Sequence, residues 1–346
     1  MEAPPARFNM ARYCLAGAAA AMQDKPALVV VDDPARSDPG EMWSYAELEL
    51  AVLRVAGGLR GAGLAPGDRL MIRVDNTSAY VLLFFGAIAA GIVPLPTSSQ
   101  LTGEEAAFLL ADSGAAAVAL ADDLPLEGLP AGVRVIEEAE VARLIRGGPA
   151  SAYADTAADD PGFLVYTSGT TAKPKGVLHA QRSAWGRRPM YRGWYGISPG
   201  DRILHTGAFN WTFTLGTGIT DPWANGATAI VYTGPKDPAV WPRLIRRHQA
   251  TMLATVPGIY RQILRHAAPE PGSLPSLRHG LSAGETLPAE IRRWWSEQTG
   301  TPILEALGMT EISTYISASP EVPPKPGTAG RPQPGRRVAI LPATGG

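Results

Sequence analysis

Short apolar segments alternate with longer stretches of mixed polarity along most of the chain. The short segments are rich in β-branched and other apolar residues, as buried strands are; they cover 27–31, 69–74, 116–120, 133–136, 163–166, 227–232 and 252–256. Segments with the periodicity of amphipathic helices lie between them, at 45–61, 104–112, 240–248 and 259–266. This alternation predicts an α/β fold in which largely parallel sheets have helices on both faces.

One uncharged stretch, 79–95, approaches the length of about 20 apolar residues that crosses a bilayer. Two glycines, Gly86 and Gly91, and Pro94 interrupt it. We therefore expect no membrane span but a buried helix that runs into a short strand at Ile92 and Val93, with Pro94 at an edge or exit of the strand.

Composition and charge narrow the classes of protein to which the chain can belong. It has 346 residues, 45% of them hydrophobic, which is enough for a large core and predicts two or three structural units. Lys and Arg number 31 against 32 Asp and Glu, so no global field favours nucleic acid as a partner. Cys14 is the single cysteine, which excludes an internal disulfide and fits a cytoplasmic protein. Its apolar neighbours favour a buried small side chain over a nucleophile.

The segment 166–176 reads Tyr-Thr-Ser-Gly-Thr-Thr-Ala-Lys-Pro-Lys-Gly and follows a predicted strand. A loop of small residues exposes backbone N–H groups, which together with lysine charge can surround a polyphosphate. It is not a Walker A loop, because Pro174 stands at the second glycine position and Gly176 at the Ser/Thr position. A solvated turn is the alternative, which the two lysines disfavour. The segment predicts ATP chemistry.

The same segment resembles the signature of the adenylate-forming superfamily, which includes acyl-CoA synthetases, peptide-synthetase adenylation domains and luciferases. Further matching motifs follow the expected order at 43–48 (WSYAEL), 282–285 (SAGE), 308–311 (GMTE) and 327–332 (GTAGRP). The resemblance spans nearly the whole chain. It implies stacked, mostly parallel sheets flanked by helices plus a small distorted β-barrel region, with divisions at roughly 1–160, 161–315 and 316–346.

Members of this superfamily continue beyond the last of these motifs. They carry an acidic residue that holds the ribose, a hinge, and a small C-terminal domain with a catalytic lysine. The sequence ends at Gly346 without these features. We therefore expect it to be the large N-terminal portion of such a protein.

The resemblance also implies roles for individual residues. Residues 167–176 would surround the β- and γ-phosphates, Thr167 and Glu311 would hold Mg²⁺, and Lys175, Thr310 and Glu311 would be catalytic. The nucleotide-binding set would be Thr167, Ser168, Gly169, Thr170, Thr171, Lys175, Gly284, Glu285, Leu307, Gly308, Met309 and Thr310. For Glu311 the alternative is a charge at the start of a helix.

Two positions depart from the superfamily pattern. Leu307 stands where a tyrosine often stacks on the adenine, so apolar packing replaces ring stacking. Ala172 stands where glycine is usual, and a positive φ there would strain the loop by about 1 kcal/mol or more.

The resemblance places the acid-binding pocket at 207–216, whose aromatic content suits a flat or medium-length apolar acid. Candidate substrate-binding residues are His205, Phe209, Trp211, Thr212, Gly216 and Ala283. Plain core packing is the alternative for each aromatic side chain. Peptide-synthetase domains use an aspartate to pair the substrate's ammonium, whereas this chain has the neutral Asn210. Amino acids are therefore disfavoured as substrates.

The activity that the resemblance implies is that of an acyl-CoA synthetase of the benzoate type, acting on an aromatic or medium-chain acid. ATP, Mg²⁺ and coenzyme A would be required. The alternatives are a fragment that binds nucleotide and acid without full turnover, a luciferase-like oxygenase and a peptide-synthetase adenylation domain. The sequence leaves the oligomeric state open, with a homodimer among the alternatives.

Overall fold

The computed structural model describes residues 2–36, 38, 40–167 and 174–341. The helices of this part of the chain are α1 (Met10–Ala21), α2 (Tyr45–Gly61), α3 (Ser78–Ala90), α4 (Gly103–Ser113), α5 (Glu138–Gly147), α6 (Ser183–Gly186), α7 (Arg188–Met190), α8 (Asp221–Ala224), α9 (Val240–His248), α10 (Pro257–His266) and α11 (Ala289–Thr299). Wider, π-helical turns cover Tyr191–Tyr195 and Thr214–Thr220.

The strands of the same residues are β1 (Pro26–Val31), β2 (Glu41–Ser44), β3 (Arg69–Arg73), β4 (Val93–Pro96), β5 (Ala117–Leu120), β6 (Arg134–Glu137), β7 (Pro161–Thr167), β8 (Lys175–Ala180), β9 (Arg202–His205), β10 (Thr228–Tyr232), β11 (Met252–Thr255), β12 (His279–Ser282), β13 (Ile303–Met309), β14 (Ser313–Ser317) and β15 (Arg331–Pro332).

Among the described strands, nine form one sheet in the order β15-β14-β13-β12-β11-β9-β10-β1-β2. Its pairs are parallel from β13 to β1 and antiparallel at both ends. A second, parallel sheet has the order β4-β3-β5-β6. The predicted α/β fold with mostly parallel sheets is confirmed. The division near residue 160 stays a prediction, although β1 and β2 from the first part pair within the larger sheet.

Local signals explain where the best predicted helices begin. Ser44 and Glu47 form a capping box in which each side chain accepts a hydrogen bond from the other residue's backbone N–H, and α2 starts directly after Ser44. The uncharged stretch 79–95 forms α3 and β4, as predicted, and α3 is buried over nearly its whole length. Pro94 lies in an edge strand, as predicted. Within the described ranges, no helix has the length and apolarity needed to cross a membrane.

The N-terminal helix covers the hydrophobic core with one face. Cys14 and Leu15 of α1 are fully enclosed, and burial raises the pKa of the Cys14 thiol. Cys14 is therefore a packed small side chain, as expected.

Two local expectations are corrected by the pairing of strands. Lys175 and Gly176, expected in the phosphate loop, belong to β8, which pairs antiparallel with β7 in a separate two-stranded sheet. Thr310 and Glu311 lie in the turn between β13 and β14, so the alternative that they start a helix is wrong. Pairing with β14 across the sheet decides the structure of this segment.

Candidate active site

Two adjoining cavities lie where β12 and β13 end, at the carboxyl edge of the parallel strands. Gly284 and Gly308 line both of them. The larger cavity has a volume of about 640 Å³ and the smaller one about 240 Å³. The carboxyl edge of a parallel sheet is where open α/β folds bind ligands, because loops diverge there and leave a crevice.

The larger cavity contains four of the predicted nucleotide-binding residues, namely Gly284, Glu285, Leu307 and Gly308. Gly284 has φ +91°, a conformation that side chains rarely adopt, and it presents bare backbone to the cavity. The Leu307 side chain is 46% exposed and offers an apolar surface. Residues 326–329 also line the cavity. The cavity can therefore hold a flat, polar ring between a backbone surface and an aliphatic side chain.

Two charged residues of this cavity were missed by the sequence interpretation. The buried Glu305 accepts a hydrogen bond from the backbone N–H of Leu287 at 2.9 Å and forms an ion pair with Arg292. This pair ties β13 to α11 beneath the cavity floor. Nothing in the local sequence marks Glu305, because its role depends on a strand and a helix meeting.

The smaller cavity contains Trp211, Thr212 and Ala283 of the predicted acid-binding residues, and Met309 and Thr310 of the predicted nucleotide-binding residues. Phe213 and Met190 add apolar walls. The Trp211 side chain is 65% exposed, so it is available to a ligand and is not core packing.

Three other predicted acid-binding residues do not line either cavity. Phe209 is buried against Tyr80, with ring centroids 5.6 Å apart, so core packing accounts for it. His205 is buried beside Phe213, and its Nδ1 accepts a hydrogen bond from the Gly207 N–H at 2.9 Å. Burial, helped by the charge of Lys236, lowers the pKa of His205 to about 3, which keeps the ring neutral. Gly216 lies behind the cavity wall.

An arginine that the sequence interpretation missed forms part of that wall. Arg187 donates two hydrogen bonds to Asp221, from Nε to Oδ1 at 2.8 Å and from Nη2 to Oδ2 at 2.6 Å. Asp221 is fully buried and also accepts a hydrogen bond from the Tyr195 hydroxyl at 2.7 Å. Burial works against the charge of Arg187, but the interactions with Asp221, Tyr195 and Tyr191 together outweigh it and raise the pKa of the guanidinium. Arg187 is therefore charged.

The residues predicted to contact phosphate lie on the β7–β8 hairpin and in the β13–β14 turn. Thr167 and Lys175 pair at the end of the hairpin where the connecting loop begins and ends. Ser168, Gly169, Thr170 and Thr171, and the departure at Ala172, lie outside the described residues. Further along β8, His179 lies near the backbone of Thr310. A third cavity of about 310 Å³ lies between His179 and Glu311. The hairpin and Glu311 are thus neighbours.

The donor set suits a magnesium ion held mainly by phosphate oxygens. Among the described residues no cluster of three or more His, Cys, Asp or Glu side chains could hold a metal alone. A hydroxyl from Thr167 and a carboxylate from Glu311 would leave most coordination positions to phosphate and water, which is the usual arrangement for Mg²⁺.

The AMP-binding enzyme family matches residues 15–346. The benzoate–CoA ligase of Thauera aromatica is 31% identical to the chain over 319 residues, 88% of the chain and 60% of the relative. The 4-hydroxybenzoate–CoA/benzoate–CoA ligase of Rhodopseudomonas palustris is 32% identical over 338 residues, 88% of the chain and 59% of the relative.

Among solved structures, a benzoate CoA ligase from Burkholderia xenovorans LB400 superposes with a TM-score of 0.83 at 28% identity, covering 95% of this chain and 66% of that one. The chain thus spans about 60% of the length of these curated relatives. It belongs to the AMP-binding enzyme family.

Proposed function

We propose that the chain forms the nucleotide- and acid-binding part of an acid–thiol ligase. It would convert ATP and an aromatic or medium-chain carboxylic acid into an acyl-adenylate and pyrophosphate, and the whole protein would transfer the acyl group to coenzyme A. The observation that carries this proposal is the pair of adjoining cavities that share Gly284 and Gly308. One is suited to a purine and the other to a small apolar acid.

The adenylation step joins two anions. A carboxylate oxygen attacks the α-phosphorus, the bond from that phosphorus to the bridging oxygen of pyrophosphate breaks, and pyrophosphate leaves with both electrons of that bond. Thr310 lines the smaller cavity, where its hydroxyl would donate to an α-phosphate oxygen. Lys175 would offset charge on the β- and γ-phosphates. Mg²⁺, when bound by Thr167 and Glu311, would neutralise phosphate charge.

The smaller cavity favours a neutral or apolar acid over an amino acid. Its walls include Trp211, Phe213 and Met190. The nearby carboxylate of Asp221 is already paired with Arg187 and cannot also neutralise a substrate ammonium. The similarity to benzoate–CoA ligases supports an aromatic acid.

A binding fragment without full turnover is the second candidate. It concerns these 346 residues taken alone, which span about 60% of the length of the curated relatives. An isolated part of a ligase would bind ATP and acid but align them poorly for reaction.

Calorimetry and pyrophosphate exchange on the same preparation separate these alternatives. We expect ATP with Mg²⁺ and benzoate to bind, and exchange of labelled pyrophosphate into ATP to depend on benzoate. Binding without exchange would favour the fragment. No binding of ATP to the folded chain would refute both.

A further inference from the structure

We propose that Arg187 forms a subsite in the smaller cavity for a neutral hydrogen-bond acceptor on the acid, namely a hydroxyl group on an aromatic ring. This inference rests on the proposed function, because it takes the smaller cavity to be the acid site. Arg187 lines that cavity together with Thr217 and Ser313.

The guanidinium of Arg187 is fixed on two sides. Asp221 holds its Nε and Nη2 atoms from one side. On another side it lies flat against Gly216, where an added β-carbon would fall 2.3 Å from Nη2, 2.4 Å from Cζ and 2.6 Å from Nη1. Gly216 therefore acts indirectly, because only a residue without a side chain leaves room for the guanidinium.

One N–H donor of the Arg187 guanidinium remains without an acceptor among the described residues. A guanidinium has five N–H donors. Two donate to Asp221, one lies 3.4 Å from the Tyr195 hydroxyl and one Nη1 donor reaches Ser313 Oγ at 2.6 Å. Within the described ranges the remaining Nη1 donor has no protein acceptor. A donor at the wall of a ligand cavity is well placed to be satisfied by the ligand.

The charges around Arg187 select a neutral acceptor. Asp221 cancels the positive charge, so a second carboxylate on the acid would gain little and would lie near a buried anion. A ring hydroxyl carries no charge, accepts from the free Nη1 donor and can donate its own proton to Ser313 Oγ.

The remaining walls suit a single aromatic ring. Met190, Trp211 and Phe213 supply apolar surface, and the volume of about 240 Å³ is below the range of about 300–1,000 Å³ typical of drug-sized ligands. A ring with one hydroxyl and one carboxyl group belongs to this size class.

Calorimetry with stable acyl-adenylate mimics tests the subsite. The probes are the sulfamoyl adenosines of benzoate, 3-hydroxybenzoate and 4-hydroxybenzoate. We expect the chain to bind one hydroxylated mimic about tenfold more tightly than the benzoyl mimic, as one hydrogen bond from a charged donor provides.

Two variants test the subsite, one by removing the guanidinium and one by displacing it. The double variant Arg187→Gln with Asp221→Asn removes the guanidinium without leaving a buried unpaired charge. Gly216→Ala displaces the guanidinium but keeps it. Both should lower the preference for the hydroxylated mimic over the benzoyl mimic to about one. Arg188→Gln is the matched control, because Arg188 lies next to Arg187 but pairs with the exposed Glu2; its preference should equal that of the wild type.

The outcomes distinguish failure of the hydroxyl subsite from failure of the proposed function. A wild-type chain that binds the benzoyl mimic but prefers neither hydroxylated mimic refutes the subsite alone, as does a preference that persists in both variants. A folded wild-type chain that binds none of the mimics refutes the proposed function as well.

Discussion

Gly308 lies against Thr314 so closely that a β-carbon on Gly308 would fall 2.8 Å from the Thr314 Cα and 2.7 Å from the Ser313 carbonyl oxygen. These residues pair across the β13–β14 hairpin, just after an irregularity in the register at Leu307. The missing side chain lets β14 return tightly after the turn that carries Thr310 and Glu311. Close packing against β14 therefore explains why the first residue of the GMTE motif is a glycine, in addition to any contact with nucleotide.

We predict that Gly308→Ala lowers the affinity for ATP about tenfold and destabilises the chain by about 1–3 kcal/mol, since the backbone must move to admit the methyl group. Calorimetry with ATP and thermal unfolding measure the two effects. Gly17→Ala is the control, because a β-carbon at Gly17 in α1 meets no heavy atom within 4 Å. Unchanged ATP affinity in Gly308→Ala would show that Gly308 does not contribute to nucleotide binding.

Replacing Glu311 by glutamine should weaken binding of ATP in the presence of Mg²⁺ much more than in its absence. The amide keeps the shape but loses the negative charge that a hard cation requires. Titrating Mg²⁺ at fixed ATP should show a midpoint about tenfold or more higher than in the wild type. The exposed Glu270 provides a matched control as Glu270→Gln. Equal midpoints in the wild type and Glu311→Gln would show that Glu311 does not bind Mg²⁺.

A substitution at position 307 is expected to strengthen ATP binding and so tests where the adenine lies. Leu307 is 46% exposed at the larger cavity, and a tyrosine there could stack on an adenine ring. Ring stacking adds about 0.5–1.5 kcal/mol beyond area burial, so Leu307→Tyr should tighten ATP binding by about two- to tenfold. Met42→Tyr, at an exposed position on β2, should leave affinity unchanged. Weaker binding of ATP to Leu307→Tyr would argue against adenine at this wall.

Stability should fall as the pH drops from 7 to 5. Burial is the main cause that lowers the pKa of His179 and of His279 to about 4 and that of His205 to about 3. In the unfolded chain each histidine binds a proton near pH 6.5, whereas in the folded chain each stays neutral to lower pH. The unfolded state therefore holds more protons, and the free energy of unfolding decreases by up to about 1.4 kcal/mol per pH unit for each histidine.

Urea unfolding at pH 7, 6 and 5 measures this dependence. His205→Asn keeps an acceptor for the Gly207 N–H but does not titrate, so its slope should be about one proton smaller. The same slope in this variant and in the wild type would mean that His205 is protonated equally in both states.

Local patterns predicted much of the fold. The capping box fixes the start of α2, and apolar periodicity locates strands such as β3 and β10, because both signals arise between near neighbours in sequence. The motif residues Gly284 and Gly308 do meet at the cavities, as their resemblance implied.

The chain's alternating pattern by itself determined an α/β fold, since the periodicity of strands and helices acts over a few positions. Only the tertiary structure decided that Phe209 packs in the core while Trp211 faces a cavity, and that Arg187 meets Asp221. Whether a side chain is a wall, a core residue or a charge partner depends on which distant segments pack against it. That packing is set by the fold as a whole.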